Sequence, residues 1–308
     1  MSDVADSAAG HLDTPGGPIA SGPLPQPGAS LWSEVWKRFR ANRAAVVGLA
    51  FIVILVLVAI FADLIAPFGI TERDSTAFRQ GPSSDHLLGT DIIGRDVFSR
   101  IVYGARVSLK IGIAATAVSA VIGIVVGAVA GYVGGLVESA IMRFIDIFLS
   151  IPYIILAIAI ATVFGKSENS VIIVIGATGW LAIARIVRSS FLQLKRMEYV
   201  EAARALGFGR WRIMFRHILP NALQPVIVYA TIAIGSAILT EAALSFLGVG
   251  PQDPTPAWGL MVSQGKGDLA NAPHLVLVPG LAISLTVLAF VLVGDGLRDA
   301  LDPKLKDR

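Results

Sequence analysis

The chain has 308 residues and no cysteine, which excludes disulfides and thiolate metal sites. It is also poor in charge. Asp, Glu, Lys and Arg make up 15% of it, against the roughly 25% usual in soluble domains. No stretch supplies a phosphate-binding loop. The string FGKS at 164–167 imitates the end of one, but the position five before its glycine holds Ile160, where such a loop needs another glycine. The four histidines, His11, His86, His217 and His274, are scattered without metal-ligand spacing, and no Ser, His and acid grouping suggests a nucleophile. The net charge of +3 is small, with basic residues gathered at the ends of apolar runs, so a nucleic-acid-binding face is excluded. Polar stretches between the apolar runs reach about forty residues, well short of the roughly 100–150 of a domain that could perform chemistry. A non-catalytic chain is expected.

What the sequence has instead is apolar length. Hydrophobic residues are 55% of the chain and mean hydropathy is +0.72, which predicts an all-α polytopic membrane protein. Residues 1–30, rich in Pro, Gly, Ser and Asp, read as a disordered cytoplasmic tail with no signal-peptide pattern. Residues 31–43 follow as an amphipathic interfacial helix, with Trp32, Trp36 and Phe39 among Lys37, Arg38, Arg40 and Arg43. Residues 44–106 hold a first span, ended by Pro67, and a long extracytoplasmic loop. Residues 107–294 read as a five-helix core, and 295–308 as a cytoplasmic C-terminal tail.

One segment of this core is polar and strongly basic. Lys195 to Arg216 contains six basic residues and two acidic ones, which places it inside the cell, as do the basic residues before the first span. Met197 to Leu206 reads as a short helix with small Ala202, Ala203 and Ala205, and Gly207 supplies its stop. After Gly209 the apolar residues Trp211, Met214, Phe215, Ile218 and Leu219 recur at helical spacing, opposite Arg210, Arg212 and Arg216. Pro220 is expected to close this second piece. A slim helix bearing Glu201 and Arg204 suits a groove on another protein. An amphipathic hairpin on the membrane surface, with no partner, is the simpler reading.

Glu201, Ala202, Ala203, Gly207, Leu219 and Pro220 resemble the EAA loop of permease subunits in ATP-binding-cassette importers. His217 departs from the isoleucine usual three residues before the proline, and the HILPN ending is similar to the peptide and nickel branch of that family. Leu88 to Asp96 (LGTDIIGRD), the segment RFIDIFLSIPYIIL from Arg143, and EAALSFLGVG from Glu241 resemble the same branch. The resemblance implies six transmembrane helices in the type I importer permease architecture, on the plan of the second permease of dipeptide and oligopeptide systems. It assigns ATPase coupling to Glu201, Ala202, Ala203, Arg204, Gly207, Leu219 and Pro220, within a coupling segment at 195–220. It also implies a sister permease, two ATP-binding cassette ATPase subunits or domains that bind ATP and Mg, and an extracytoplasmic substrate-binding protein. This chain would then need no cofactor of its own, and both of its termini would be cytoplasmic in the cell membrane.

Three charged residues inside apolar runs are candidates for the pathway or its gating. Arg143 and Asp146 lie three apart on one helical face and are expected to pair near the cytoplasmic end of the third span, about 141–164, which Pro152 kinks. Glu241 lies near the outer end of the fifth span. Ser119, Gly123, Gly127 and Gly131 repeat every four residues along the second span and predict close helix packing, with a second permease chain as a candidate partner. A proton-coupled secondary transporter using Asp146 and Glu241, or a membrane scaffold subunit, are the other classes the spans allow.

Overall fold

The computed structural model describes residues 31–301, and every regular element among them is helical. The expected disordered tail at 1–30 and the last residues of the expected C-terminal tail, 302–308, lie outside the described residues. Helix α1 (Leu31–Ala41) ends at Asn42, whose side chain accepts from the Ala45 N–H at 3.1 Å and so starts α2 (Arg43–Ile60). The first span loses regularity at Phe61, resumes as α3 (Ala62–Ile65), and stops before Pro67.

Helix α4 (Val97–Val133) begins well ahead of the expected Val107. Asp96 is its cap, its carboxylate accepting from the Ser99 N–H at 2.7 Å. The sequence disguises these first three turns as loop because Arg100 and Arg106 are in them. Both charges are matched by partners distant in sequence: Arg100 by Asp91 and Asp253, Arg106 by Asp63.

The expected third span is two helices, α5 (Gly135–Leu149) and α6 (Tyr153–Phe164), meeting at 91°. Pro152 does more than kink it. Without an N–H it cannot continue the ladder, and the Ser150 N–H bonds back to Asp146 O at 3.0 Å, closing α5 before α6 sets off. Helix α7 (Glu168–Leu194), capped by Ser167, leads to α8 (Glu198–Ala205). Next come α9 (Arg210–Arg212), a π-helical stretch at Ile213–Ile218, and α10 (Leu219–Phe246). A short α11 (Trp258–Gly265) and the last span α12 (His274–Leu301) complete the chain. Among the described residues, five helical stretches are long and apolar enough to cross a bilayer, or six if the bent pair counts as one.

Helix α4 is the centre of the bundle and packs most extensively on α7. The small-residue stripe explains why. A Cβ at Gly123, Gly127 or Gly131 would stand 2.7, 2.5 or 2.6 Å from Ile183 Cβ, Ala184 O or Phe191 Cβ. The stripe is therefore used inside this chain, letting two of its own spans approach closely. At the end of the bundle remote from α8, the polar stretch before α4 folds into a buried ionic network. Asp91 accepts from the N–H groups of Ile93 and Arg95 and from the Arg95 guanidinium at 2.6 Å. Arg95 reaches Asp253 at 2.9 Å, and His86 Nδ1 lies 3.0 Å from Asp96. Trp258, fully buried, donates to Ile101 O at 3.1 Å and holds α11 against α4.

Candidate functional site

The segment between α7 and α10 is anchored before it is exposed. Where α7 ends, Lys195 extends to the last turn of α4, donating to Tyr132 O at 2.7 Å with its ammonium 5.5 Å from that ring. A cation there complements the negative end of the helix. Helix α8 carries Glu198 and Glu201 in its first turn and Arg204 in its last, both favourable for the helix dipole. Val200 and Ala203 point inward, fully buried among Phe191, Ile213, Met214 and Ile218. Glu201, Ala202, Arg204, Ala205 and Leu206 point outward. The alanines thus do not form one face. Ala203 seats the helix on its own bundle, while Ala202 and Ala205 are presented to whatever lies outside.

The helix stops at Gly207, whose φ of 77° is left-handed. The Gly207 N–H bonds to Arg204 O at 2.9 Å and the Phe208 N–H to Ala203 O at 3.1 Å, a paired closure that satisfies two end carbonyls. The next piece does not end at Pro220 as the sequence suggests. Pro220 lies in the first turn of α10, and the helix runs through it after the π stretch. A wider turn accommodates the missing N–H and moves the carbonyl one turn back away from the proline ring.

That stretch also splits the expected apolar face. Met214 and Ile218 are buried, whereas Trp211 and Phe215 are 72% and 55% exposed, their rings stacked 5.9 Å apart. Leu206 is 73% exposed. Beside α8 lies a cleft of about 710 Å³ whose lining includes Tyr132, Lys195, Arg204, Arg210 and Trp211. Exposed Trp, Arg and Leu beside a helix too short to bury them have the character of an interface. The outward pair Trp211 and Phe215 was readable in principle, because two aromatics at i,i+4 flanked by arginines make a stripe separate from Met214 and Ile218.

The charged candidates within the spans fall elsewhere. Asp146 pairs with Arg185 of α7, not with Arg143, and Glu138 pairs with Arg188. Two ion pairs therefore fasten α5 to α7. Arg143 is exposed and makes no ion pair among the described residues. It lies three residues before Asp146 on α5, but α7 lies on the carboxylate's side. Glu241 is fully buried between α10 and α4, accepting from Ser245 Oγ at 2.7 Å and from Ser108 Oγ at 3.4 Å.

Residues 123–307, which include α5 to α12 and the anchored elbow, match the model of the binding-protein-dependent transport system inner membrane component. The chain belongs to that family. Residues 30–82 of this permease match a second model, the N-terminal TM domain of oligopeptide transport permease C. The permease is 44% identical over 276 residues to the glutathione transport system permease protein GsiD of Pectobacterium atrosepticum, covering 89% of this chain and 92% of that one. The GsiD protein of Escherichia coli O6:K15:H31 is 45% identical, with 89% of this chain and 91% of that one covered. The dipeptide transport system permease protein DppC of Alkalihalophilus pseudofirmus is 44% identical over 277 residues, covering 90% and 91%. Among solved structures, a chain of the MetNI methionine ABC transporter in inward facing conformations superposes with a TM-score of 0.52. It has 23% sequence identity, with 66% of this chain and 97% of that one covered, and it supports the fold alone. This permease is a multi-pass membrane subunit of an ABC importer and not itself an enzyme.

Proposed function

We propose that this permease forms half of the translocation path of an importer for peptides or a related small solute, and that α8 is the handle by which a separate ATPase moves it. One observation carries the second part. Helix α8 has a buried inner edge, Val200 and Ala203, and an outer surface of Glu201, Ala202, Arg204, Ala205 and Leu206. An element held this way transmits a push as a rigid body, which coupling between two sites requires. Leu219 and Pro220 act from behind, fixing where the elbow joins α10. The ion pairs from α5 to α7 carry the motion onward through Asp146 and Glu138, and Glu241 ties α10 to α4. Arg143 remains a candidate for gating on the open surface of α5.

The partners follow from this reading: a sister permease, two ATPase subunits or domains holding ATP and Mg, and an extracytoplasmic binding protein. The elbow and both termini lie in the cytoplasm and the chain sits in the cell membrane. ATP-driven closure of the ATPases opens the path outward, and hydrolysis opens it inward. The peptide substrate is supported by the relatives that transport glutathione or dipeptides. The test is to purify the permease with its companions and replace Glu201 with Lys. ATPase co-purification and solute-stimulated hydrolysis with the wild-type chain, and their loss in Glu201→Lys with insertion intact, are expected. Unchanged uptake by Glu201→Lys would overturn the assignment of α8.

A further inference from the structure

Between α4, α6, α7 and α10, midway along the spans, is a crevice of about 250 Å³. Its polar lining consists of hydroxyls, from Thr116, Ser119, Tyr153, Tyr229, Ser236 and Thr240, and no carboxylate, amine, guanidinium or imidazole is among the lining residues. Tyr229, Ser236 and Thr240 are spaced at i, i+7 and i+11, one narrow stripe down α10. We propose that this stripe and the α4 hydroxyls facing it are the solute-contacting surface of the permease, suited to short, amide-rich solutes of no net charge. The proposal rests on the importer reading above and names the part of the path this chain contributes.

Three observations separate this surface from one that faces lipid. First, the exposed faces of the outer spans are aliphatic, as with Leu277, Leu281, Leu285 and Leu288 of α12, whereas this stripe is hydroxylated. Polar groups at membrane depth face the protein interior or a water-filled cavity. Second, Thr116 is 5% exposed and lines the crevice, and its buried hydroxyl has no hydrogen-bond partner among the described residues. Serine and threonine in membrane helices commonly satisfy themselves on a carbonyl one turn back, as Thr240 does on Ser236 O at 2.9 Å. Thr116 does not. Third, Thr178 gives its one hydroxyl proton to Val174 O at 2.8 Å, so the ring hydroxyl of Tyr153, at the start of α6 and 3.4 Å from Thr178 Oγ1, donates to it at most weakly and keeps its oxygen lone pairs free to accept.

The chemistry of the set follows. Self-bonded Ser236 and Thr240, and the Tyr153 oxygen, keep lone pairs that accept from an amide N–H, and Thr116 and Tyr229 donate to an amide carbonyl. No fixed charge holds the solute back, so contacts stay weak and numerous, as conduction requires. A crevice of this size on one chain holds only part of a small solute, leaving the remaining contacts to the sister permease.

The absence of cysteine makes the test direct. Single-cysteine variants S236C, T240C and L239C, each expressed with the companion subunits, are exposed in membrane vesicles to a water-soluble, charged thiosulfonate. Leu239 is on the same helix, exposed, but off the stripe. S236C and T240C should react at least about tenfold faster than L239C, because only the stripe meets water. A dialanine dipeptide added as probe should slow both. In a second arm, Thr116→Val should leave the melting temperature unchanged or raised, since an unpaired buried hydroxyl is removed, while lowering dipeptide uptake severalfold. Equal labelling of S236C and L239C would place the stripe in lipid and overturn the proposal. Oxidant-driven cross-linking of S236C to a cysteine introduced into the sister permease, without labelling, would make the stripe a subunit interface and overturn it equally. The labelling ratio does not depend on an ATPase being gripped by α8, so failure of the importer reading, seen as no co-purifying ATPase, is read separately.

Discussion

Leu219 donates its backbone N–H to the carbonyl of Met214, five residues back, and the next residue is Pro220. The two features are one device. A proline within an α-helix costs about 3 kcal/mol or more through its missing N–H and its clash one turn back, and a wider turn before it relieves both. The turn then sets the rotation of everything from Trp211 to the elbow relative to α10. Replacing Pro220 with Ala removes the reason for the wide turn. Pro220→Ala should raise the melting temperature by a few degrees, because alanine favours helix, while cutting the ratio of solute transported to ATP hydrolysed by about tenfold or more as α8 is turned away. A variant with a raised melting temperature and full coupling would show that the turn has no part in placing the elbow.

Gly207 tests the same elbow from its other side. Nothing lies within 4 Å of a Cβ built there, so the cost of a substitution comes from its φ of 77° alone. That cost is about 1–2 kcal/mol for an ordinary residue and least for asparagine. Coupling should therefore fall in the order Gly207, Gly207→Asn, Gly207→Ala, Gly207→Val. Membrane insertion and overall melting should stay near wild type, since the site touches no core. The order is read from uptake divided by hydrolysis in reconstituted vesicles. If Gly207→Val and Gly207→Asn behave alike, the left-handed closure is not what uptake depends on.

The parts of this molecule that were legible in the sequence are those whose cause is local. Gly207 after an alanine-rich run, Pro67 after an apolar one, and the basic cluster from Lys195 to Arg216 each announce themselves within a few residues. What was hidden depends on partners far away in sequence. Arg143 is three residues from Asp146 and obeys the helical spacing rule, yet the guanidinium that meets Asp146 is that of Arg185 on α7. Arg100 looks like a loop residue until Asp91 and Asp253 surround it, so the first turns of α4 read as loop in the sequence alone. The break at 91° and the π stretch are both consequences of proline, but the sequence gives the place of a proline and not how the chain will accommodate it.

The glycine stripe gives a contrasting prediction to Gly207. At Gly127 a Cβ would meet Ala184 O at 2.5 Å and Val187 Cβ at 2.8 Å, and backbone oxygen cannot move aside like the end of a side chain. Overpacking of this kind costs about 1–3 kcal/mol and would push α4 from α7, the most extensively packed pair. Gly127→Val should lower the yield of folded permease and its melting temperature in detergent, and uptake in proportion to the protein recovered. A Gly127→Val protein that melts normally but loses assembly with its sister permease would instead place the stripe's function between chains.

The ionic network at the far end of the bundle should make stability depend on acid in a defined way. Burial by itself would raise the Asp253 carboxyl, but the hydrogen bond and charge of Arg95, the charge of Arg100 and a hydrogen bond from Gln264 outweigh it and hold it below its ordinary value. A carboxylate whose pKa is lower folded than unfolded contributes stability that is complete above its unfolded value. That contribution is lost as pH falls through the folded value. Melting temperature should therefore be flat, as far as Asp253 is concerned, from pH 8 to about pH 5, and fall below about pH 4. Asp253→Asn should lower it at pH 7 by the equivalent of about 1 kcal/mol, since the side chain is 48% exposed and the interaction is screened, and should flatten the acid limb. Asp91→Asn should cost more, about 3–5 kcal/mol, because Asp91 is 12% exposed and its loss leaves Arg95 and Arg100 with their charges buried. The rank order decides the argument. Asp253→Asn melting below Asp91→Asn at pH 7 would mean that the exposed carboxylate, and not the buried one, holds the two guanidinium groups in place.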